Sequence, residues 1–394
     1  QNPLQTEAAS LSAAQEAIRL SFFHWGLHAW GVYIVIGLSL SFFAFRLDLP
    51  LTMRSLLYPL IGNRIYGALG HLVDVLSVFG TLFGVATSLR LGVMQINSGL
   101  DYLGVLSSSL FHQILLIAGI TSVAAISVAS GLNRGIRILS TVNLLVALAL
   151  IVFVFLAGPS LFLIRTFVQN MGQYLHQLLP TTFHTSAYQG LEWQKDWTLF
   201  FWSWWIAWSP FVGMFIARVS RGRTIREFIL GVLFIPTLLT CLWLVIFGNS
   251  AIHIELFGEG GLVGQVEASI PTSLFALFEY FPLPWLSCLL STFVIVTFFV
   301  TSADSGALVI NILTSGGQAD PPLGFRIFWA LIIGSTASIL LLAGGLSALQ
   351  TATLTTAFPV SLIMIIACLS LFKGLRAAHM SREQTRRRQE EKTA

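Results

Sequence analysis

The sequence predicts an all-α, polytopic membrane protein, and three observations carry that prediction. Only 10% of its 394 residues are charged while 55% are hydrophobic, where a soluble domain carries about a quarter charged residues. Apolar stretches of roughly 20 residues, the length a helix needs to cross the hydrocarbon core, recur along the chain. The loops between them alternate between basic and acidic, the pattern produced when Lys and Arg are retained on the cytoplasmic side. Long apolar runs without two-residue alternation exclude an outer-membrane barrel.

Nine spans follow in order: about 22–45, 70–98, 109–130, 136–158, 197–217, 226–248, 285–314, 325–344 and 350–372. Before the first lies a polar, amphipathic run, Gln1 to Leu20, with no resemblance to a signal peptide. Between the fourth and fifth, Ser160 to Leu179 is amphipathic and broken by Pro180, which predicts a helix lying on the membrane surface. With the tail in the cytoplasm, the basic loops hold Arg46, Arg54 and Arg64, then Arg134 and Arg137, then Arg218, Arg221, Arg223 and Arg226, then Arg326. The tail itself runs from Lys373 to Lys392 and includes Arg386, Arg387 and Arg388. The opposite loops hold Asp101, then Glu192 and Asp196, then Glu255, Glu259 and Glu267. An odd number of spans with the tail inside puts the N-terminus outside and predicts further helices upstream of Gln1.

The net charge of +4 is spread over these loops and gives no nucleic-acid patch. Cys241, Cys288 and Cys368 fall within apolar runs, an odd and scattered set that forms no disulfide framework. The eight histidines show no metal-ligand spacing. No cofactor is expected. The few intramembrane charges offer no nucleophile–base pair for an enzyme, and no ring-forming repeat suggests a channel.

The most informative segment is Trp197 to Arg223, which packs Trp197, Trp202, Trp204, Trp205 and Trp208 into twelve residues. Trp204, Trp208, Phe211 and Phe215 recur at helical spacing and are expected on one face. Pro210 removes a backbone hydrogen bond, which a cavity or a neighbouring helix must satisfy. Interfacial tryptophan belts are common, and Trp197 is assigned to one. The deeper rings suit a cation. A quaternary ammonium group donates no hydrogen bond, and ring faces attract it by about 2 kcal/mol or more each when desolvated.

These residues carry a resemblance. WSWWIAWSPFVGMFIARVSRGRTIREF is similar to the hallmark segment of the betaine/choline/carnitine transporter family, and FFHWGLHAWGVY and FFVTSADSGALV resemble two more of its segments. LPLTMRSLLYPLIGNRIYGALGH and TLFGVATSLRLGVMQINSGL look like its choline branch. The resemblance implies a leucine-transporter-like core of inverted five-helix repeats within twelve spans, of which the nine here match the fourth to twelfth. Residues 1–372 then form a core lacking its first three helices, and 373–394 a basic cytoplasmic tail.

The resemblance further implies a box for the substrate ammonium built from Trp25, Trp30 and Tyr33 on the first span and Trp204, Trp205 and Trp208 on the fifth, with Phe215 lining the pathway. Interfacial anchoring is the alternative for Trp25 and Trp30. Near the coupling-ion position it places the hydroxyls of Thr301 and Ser302, the carbonyl of Phe298, and Phe211. Equally, Thr and Ser at such positions bond their own helix. Arg90 stands where relatives carry glycine, and a charge at that depth calls for a partner. Asp304 is the first candidate and Asp74 the second. The resemblance assigns Arg90 the place of a sodium ion, which weakens a sodium site using Thr81, and Val85 adds no hydroxyl. A snorkelling Arg90 is the alternative. His24 and His28, one turn apart, are candidates for proton relay or interfacial hydrogen bonding. The tail either binds anionic lipid or sets topology.

The sequence therefore predicts a bacterial inner-membrane carrier that imports choline or glycine betaine for osmoprotection. Proton coupling is the first expectation, with sodium-coupled betaine symport or carnitine exchange as alternatives, and a homotrimer as the assembly. A truncated, non-transporting or sensor protein is the alternative from another class.

Overall fold

The computed structural model describes residue 7 and residues 10–130, 133–188, 190–318, 322–343 and 346–393. Among the described residues every regular element is helical. The first span combines α1 (Leu11–Trp25) and α2 (Leu27–Arg46). Two 3₁₀ turns, Met53–Leu57 and Gly62–Tyr66, flank the short α3 (Tyr58–Ile61). Three long helices follow: α4 (Ala68–Tyr102), α5 (Leu110–Ser130) and α6 (Asn133–Ala157). Next come α7 (Ser160–His176) and α8 (Leu178–Thr182). A π-helical stretch, Gln194–Leu199, leads into α9 (Phe200–Val219). The next span joins α10 (Ile225–Leu244) through a second π stretch, Val245–Asn249, to α11 (Ser250–Phe257). Short α12 (Leu262–Ala268) and α13 (Ser273–Phe278) precede the last spans, α14 (Pro284–Thr314), α15 (Leu323–Leu342) and α16 (Leu346–Thr393).

Nine stretches among the described residues are long and apolar enough to cross a membrane, as expected, but three expectations change in detail. The polar run before residue 22 folds as helix from Leu11, because Ser10 caps it by accepting the Ala13 N–H at 3.2 Å. Buried Arg19 is paired there with Glu16 at 2.5 Å. Pro180 does not break the surface helix. It sits in the first turn of α8, where proline lacks no needed donor, and the break falls at Gln177. The last helix runs on through the boundary expected at 372/373. Residues 1–6, 8 and 9 of the leading run, and the side chains of Arg134, Arg137, Arg386, Arg387 and Lys392, lie outside what the structure describes.

The core is built around α4, which packs on α9, α14, α15 and α16, while α9 is held between α2 and α4. Small residues make this possible, as is usual where helices cross in lipid. A Cβ on Gly213 of α9 would lie 2.7 Å from Ile36 and 3.0 Å from the Gly37 nitrogen, so α2 and α9 meet backbone to backbone. A Cβ on Gly84 of α4 would lie 2.5 Å from the Trp208 ring. The tryptophan helix thus enters the centre of the bundle only because its two neighbours give way.

Candidate functional site

The first span is not one helix. α1 ends at Trp25 and α2 begins at Leu27, with Gly26 between them at φ −95°, ψ −130°. The break interrupts the helical ladder between the Gly26 N–H to Phe22 bond and the Trp30 N–H to Gly26 bond, and frees backbone groups that would be costly if buried unpaired. The His24 carbonyl accepts the Trp205 indole N–H at 2.8 Å. The Leu27 N–H donates to the Tyr174 hydroxyl on α7 at 3.0 Å. Two rings from other elements therefore pair two of the groups that the break frees.

The break brings Trp25 onto α9. Its ring meets Trp205 edge-to-face at 4.7 Å between centroids and Trp204 at 6.1 Å. Trp204 and Trp205 are stacked at 5.2 Å, only 8° from parallel. Tyr33 reaches Trp205 at 6.4 Å, and Trp30 extends the group through Tyr33 at 5.6 Å. Phe201 stacks on both Trp204 and Trp205. The Trp204 indole N–H is fixed by Ser88 of α4 at 3.1 Å. Trp205 and Tyr33 are buried, whereas Trp25 is 36% exposed.

Three of the four residues expected on one face of α9 lie together: Trp204 reaches Ser88 of α4, and Trp208 packs against Gly84 of α4 and, edge-on at 5.4 Å, against Phe211. Trp205, outside that expected face, turns instead to the first span, against Trp25 and Tyr33. Phe215 is 51% exposed and makes no ring contact among the described residues. Five of the seven expected substrate residues, Trp25, Trp30, Tyr33, Trp204 and Trp205, form one connected cluster. Trp208 belongs to its inner flank, and Phe215 stands apart.

The expected partnership of Arg90 is corrected. Asp304 accepts from Arg326 at 3.2 Å, and Asp74 is held by the Arg54 backbone N–H at 2.8 Å and side chain at 2.5 Å. Both carboxylates are therefore engaged elsewhere. Arg90 is 4% exposed, and its Nε and Nη1 find no hydrogen-bond partner among the described residues. Thr301 bonds its own helix, donating toward the carbonyls of Thr297 at 3.0 Å and Phe298 at 2.9 Å, so two expected ion ligands are engaged with each other. Ser302 lies one residue on and is half-buried. Thr81 is fully buried with its hydroxyl unpartnered.

The histidines act as hydrogen-bonding struts beside the cluster. His24 Nε2 lies 3.1 Å from the Thr198 hydroxyl, and its ring stacks on Phe201 at 5.0 Å. His28 Nε2 lies 2.9 Å from the Thr182 hydroxyl on α8. Sequence reasoning missed Gly26, Ser88, Phe201 and Tyr174. A serine in a tryptophan-facing span was the one available sign.

Nine membrane-competent stretches among the described residues, the broken first span being one of them, and a connected aromatic cluster at that break define a polytopic, all-helical membrane protein. The family comparison agrees: a betaine/carnitine/choline family transporter model matches residues 1–380, and the chain belongs to that family. It is a family of transporters, not of enzymes. The chain is 48% identical over 376 residues to a glycine betaine transporter of Acinetobacter baylyi, covering 95% of this chain and 57% of that protein. It is 41% identical over 389 residues to a high-affinity choline transport protein of Escherichia coli K12, covering 98% and 58%. It is 42% identical over 380 residues to a glycine betaine/proline/choline/ectoine transporter of Vibrio parahaemolyticus, covering 95% and 67%. The chain thus spans somewhat over half the length of the first two relatives.

Proposed function

We propose that this chain forms the substrate-binding part of a secondary transporter that imports a quaternary ammonium solute, choline or glycine betaine, across the bacterial inner membrane for osmoprotection. The observation that carries the reading is the edge-to-face contact of Trp25 and Trp205. In such a pair the positive rim of one ring occupies the negative face of the other, which is where a methylated ammonium would sit. Trp204 and Trp205, stacked at 5.2 Å, leave no gap between them for a head group. Substrate therefore takes an outer ring face of the cluster that the Trp25–Trp205 contact holds in place and leaves uncovered, each such face contributing about 2 kcal/mol.

Choline is the first choice of solute, since the loop and span segments look like the choline branch. Buried, unpartnered Arg90 supports a fixed positive charge in place of sodium, and so proton coupling. Thr301, Ser302, Phe298, Phe211 and Asp304 then shape the helix beside it. The alternation of loop charge supports a cytoplasmic C-terminus, and family resemblance supports a trimer.

The test is labelled-solute uptake by the full-length gene product in cells lacking their own carriers, at varied sodium and pH. Replacing Trp204, Trp205 and Trp208 together by Leu is expected to lower uptake efficiency by about 100-fold or more, since about 1.4 kcal/mol is worth tenfold. Undiminished uptake by that variant overturns the site. Uptake abolished by removing sodium while pH is held would replace proton coupling with sodium symport.

A further inference from the structure

The helix pair α7–α8 is fastened to the broken first span at four places. Gln173 donates to Gln15 of α1 at 3.4 Å, Arg19 of α1 donates to Thr181, the Leu27 N–H donates to Tyr174, and His28 Nε2 lies 2.9 Å from the Thr182 hydroxyl. The Tyr174 contact is unlike the other three because it falls on the break itself. Tyr174 is 2% exposed, and its ring stands edge-on to Phe22 at 5.8 Å. It shares the inner face of α7 with Leu163 and Asn170, eleven and four residues before it.

Two of the groups freed at the break, a donor and an acceptor, have ring partners that differ in kind. The acceptor, His24 O, holds a ring of the aromatic cluster, Trp205. The donor, Leu27 N, is held by a ring from outside the cluster, Tyr174. A Cβ on Gly26 would lie 2.4 Å from the Phe22 carbonyl and 3.0 Å from the Tyr174 oxygen, so the chain turns here against the phenol. Burial raises the Tyr174 phenol to about 12. It remains a neutral hydroxyl at working pH, with lone pairs free to accept the amide.

We infer that Tyr174 is a positioning residue for the aromatic site: by accepting the Leu27 N–H it holds the Gly26 break open, and so sets the Trp25–Trp205 geometry that receives a quaternary ammonium head. The inference rests on the reading of that cluster as the substrate site. It makes the surface helix pair part of the recognition apparatus without touching substrate. A loss of the phenolic oxygen leaves the Leu27 N–H without a partner at depth, so the break re-forms toward continuous helix and turns Trp25 off Trp205.

The experiment uses full-length protein carrying Tyr174→Phe, which keeps the ring and removes only the oxygen. Two readouts are taken, hydrogen exchange of the segments around Gly26 and Trp205 in substrate-free protein, and KM and Vmax for labelled choline and glycine betaine. The expected result is altered exchange in both segments and a KM raised about tenfold, equivalent to about 1.4 kcal/mol, with Vmax changed less than twofold. A purely structural role would lower Vmax through lost protein and leave KM alone. Thr182→Val removes the His28 contact on the same helix pair and is expected to raise KM by no more than about twofold, well under the effect of a variant at the break. Unchanged exchange at Gly26 and Trp205 in Tyr174→Phe overturns the inference whether or not the protein takes up either solute. Altered exchange with unchanged KM also overturns it, since the break would then be held without serving the site. Wild-type protein that takes up neither solute instead overturns the substrate reading.

Discussion

Two spans of this protein, α4 and α6, look alike as hydrophobic segments and are opposites as structures. The apolar stretch of α4 has a mean hydropathy of 1.8 and is 72% buried, whereas that of α6 has a mean hydropathy of 2.7 and is 11% buried. In water the more hydrophobic helix would be the inner one. In lipid the order reverses, because lipid tails are as apolar as leucine and give apolar residues no reason to turn inward. What is driven inside is everything lipid will not take. α4 buries Asp74, Ser77, Thr81, Thr87, Ser88, Arg90, Asn97 and Ser98, together with the glycines that let its neighbours approach. The outer span carries Leu144, Leu145, Leu148 and Val152 on its exposed surface.

The largest expected effect that could break this comparison is at a glycine of α4. A Cβ on Gly92 would lie 1.9 Å from the Phe299 ring of α14. Gly92→Leu is expected to destabilise the fold by about 3 kcal/mol, the upper range for overpacking. It should show as a lowered melting temperature and an aggregated fraction in size-exclusion chromatography of detergent-solubilised protein. A variant as stable as wild type would mean that the close approach of α4 and α14 is not what organises the core.

The same contrast explains what could be seen in the sequence. The spans were legible because solvent selects for hydropathy over some twenty residues, a signal that survives any local detail. The aromatic cluster was legible as a candidate because the sequence concentrates tryptophans on one helix and sets a second group at Trp25, Trp30 and Tyr33 on another. The break at Gly26 was not legible. A glycine such as Gly26 in FFHWGLHAWG is tolerated in an unbroken membrane helix, and the interruption depends on Tyr174, 148 positions away. The partner of Asp304 was missed for a related reason. Arg326, counted among the loop charges, folds back from the first turn of α15 to reach it at 3.2 Å. The turn of Trp205 to the first span while Trp204 and Trp208 face α4 also depends on residues of other helices, which spacing along α9 does not reveal.

The second effect is smaller and separates the buried charges of the inner region from one another. A double-mutant cycle on Asp304→Asn and Arg326→Gln is expected to show a coupling of about 1–2 kcal/mol in thermal stability, within the range for residues in direct contact. The cycle on Asp304→Asn and Arg90→Met should show coupling near zero, because the structure gives the two no contact. Arg90→Met alone is expected to leave stability nearly unchanged or slightly raised, since it removes a buried charge whose Nε and Nη1 are unpartnered. Strong coupling between Arg90 and Asp304 would restore the pairing that the sequence first suggested and remove Arg90 as a free positive charge.

The smallest effect lies on α6, where Leu145 is 59% exposed. Leu145→Ala is expected to change the melting temperature very little, by an amount equivalent to about 0.5 kcal/mol or less, as for other substitutions away from packed features. The measurement matters because of its partner at the other extreme. Leu89 on α4 is 1% exposed, and the same leucine-to-alanine change there leaves a cavity, expected to cost about 2 kcal/mol, the lower end of the usual range. Comparing identical chemistry at two depths of one bundle isolates packing from hydrophobicity, because neither side chain gains anything by leaving lipid. Equal losses at the two positions would show that α6 has a packed neighbour along its exposed face and that its low burial is not its working state.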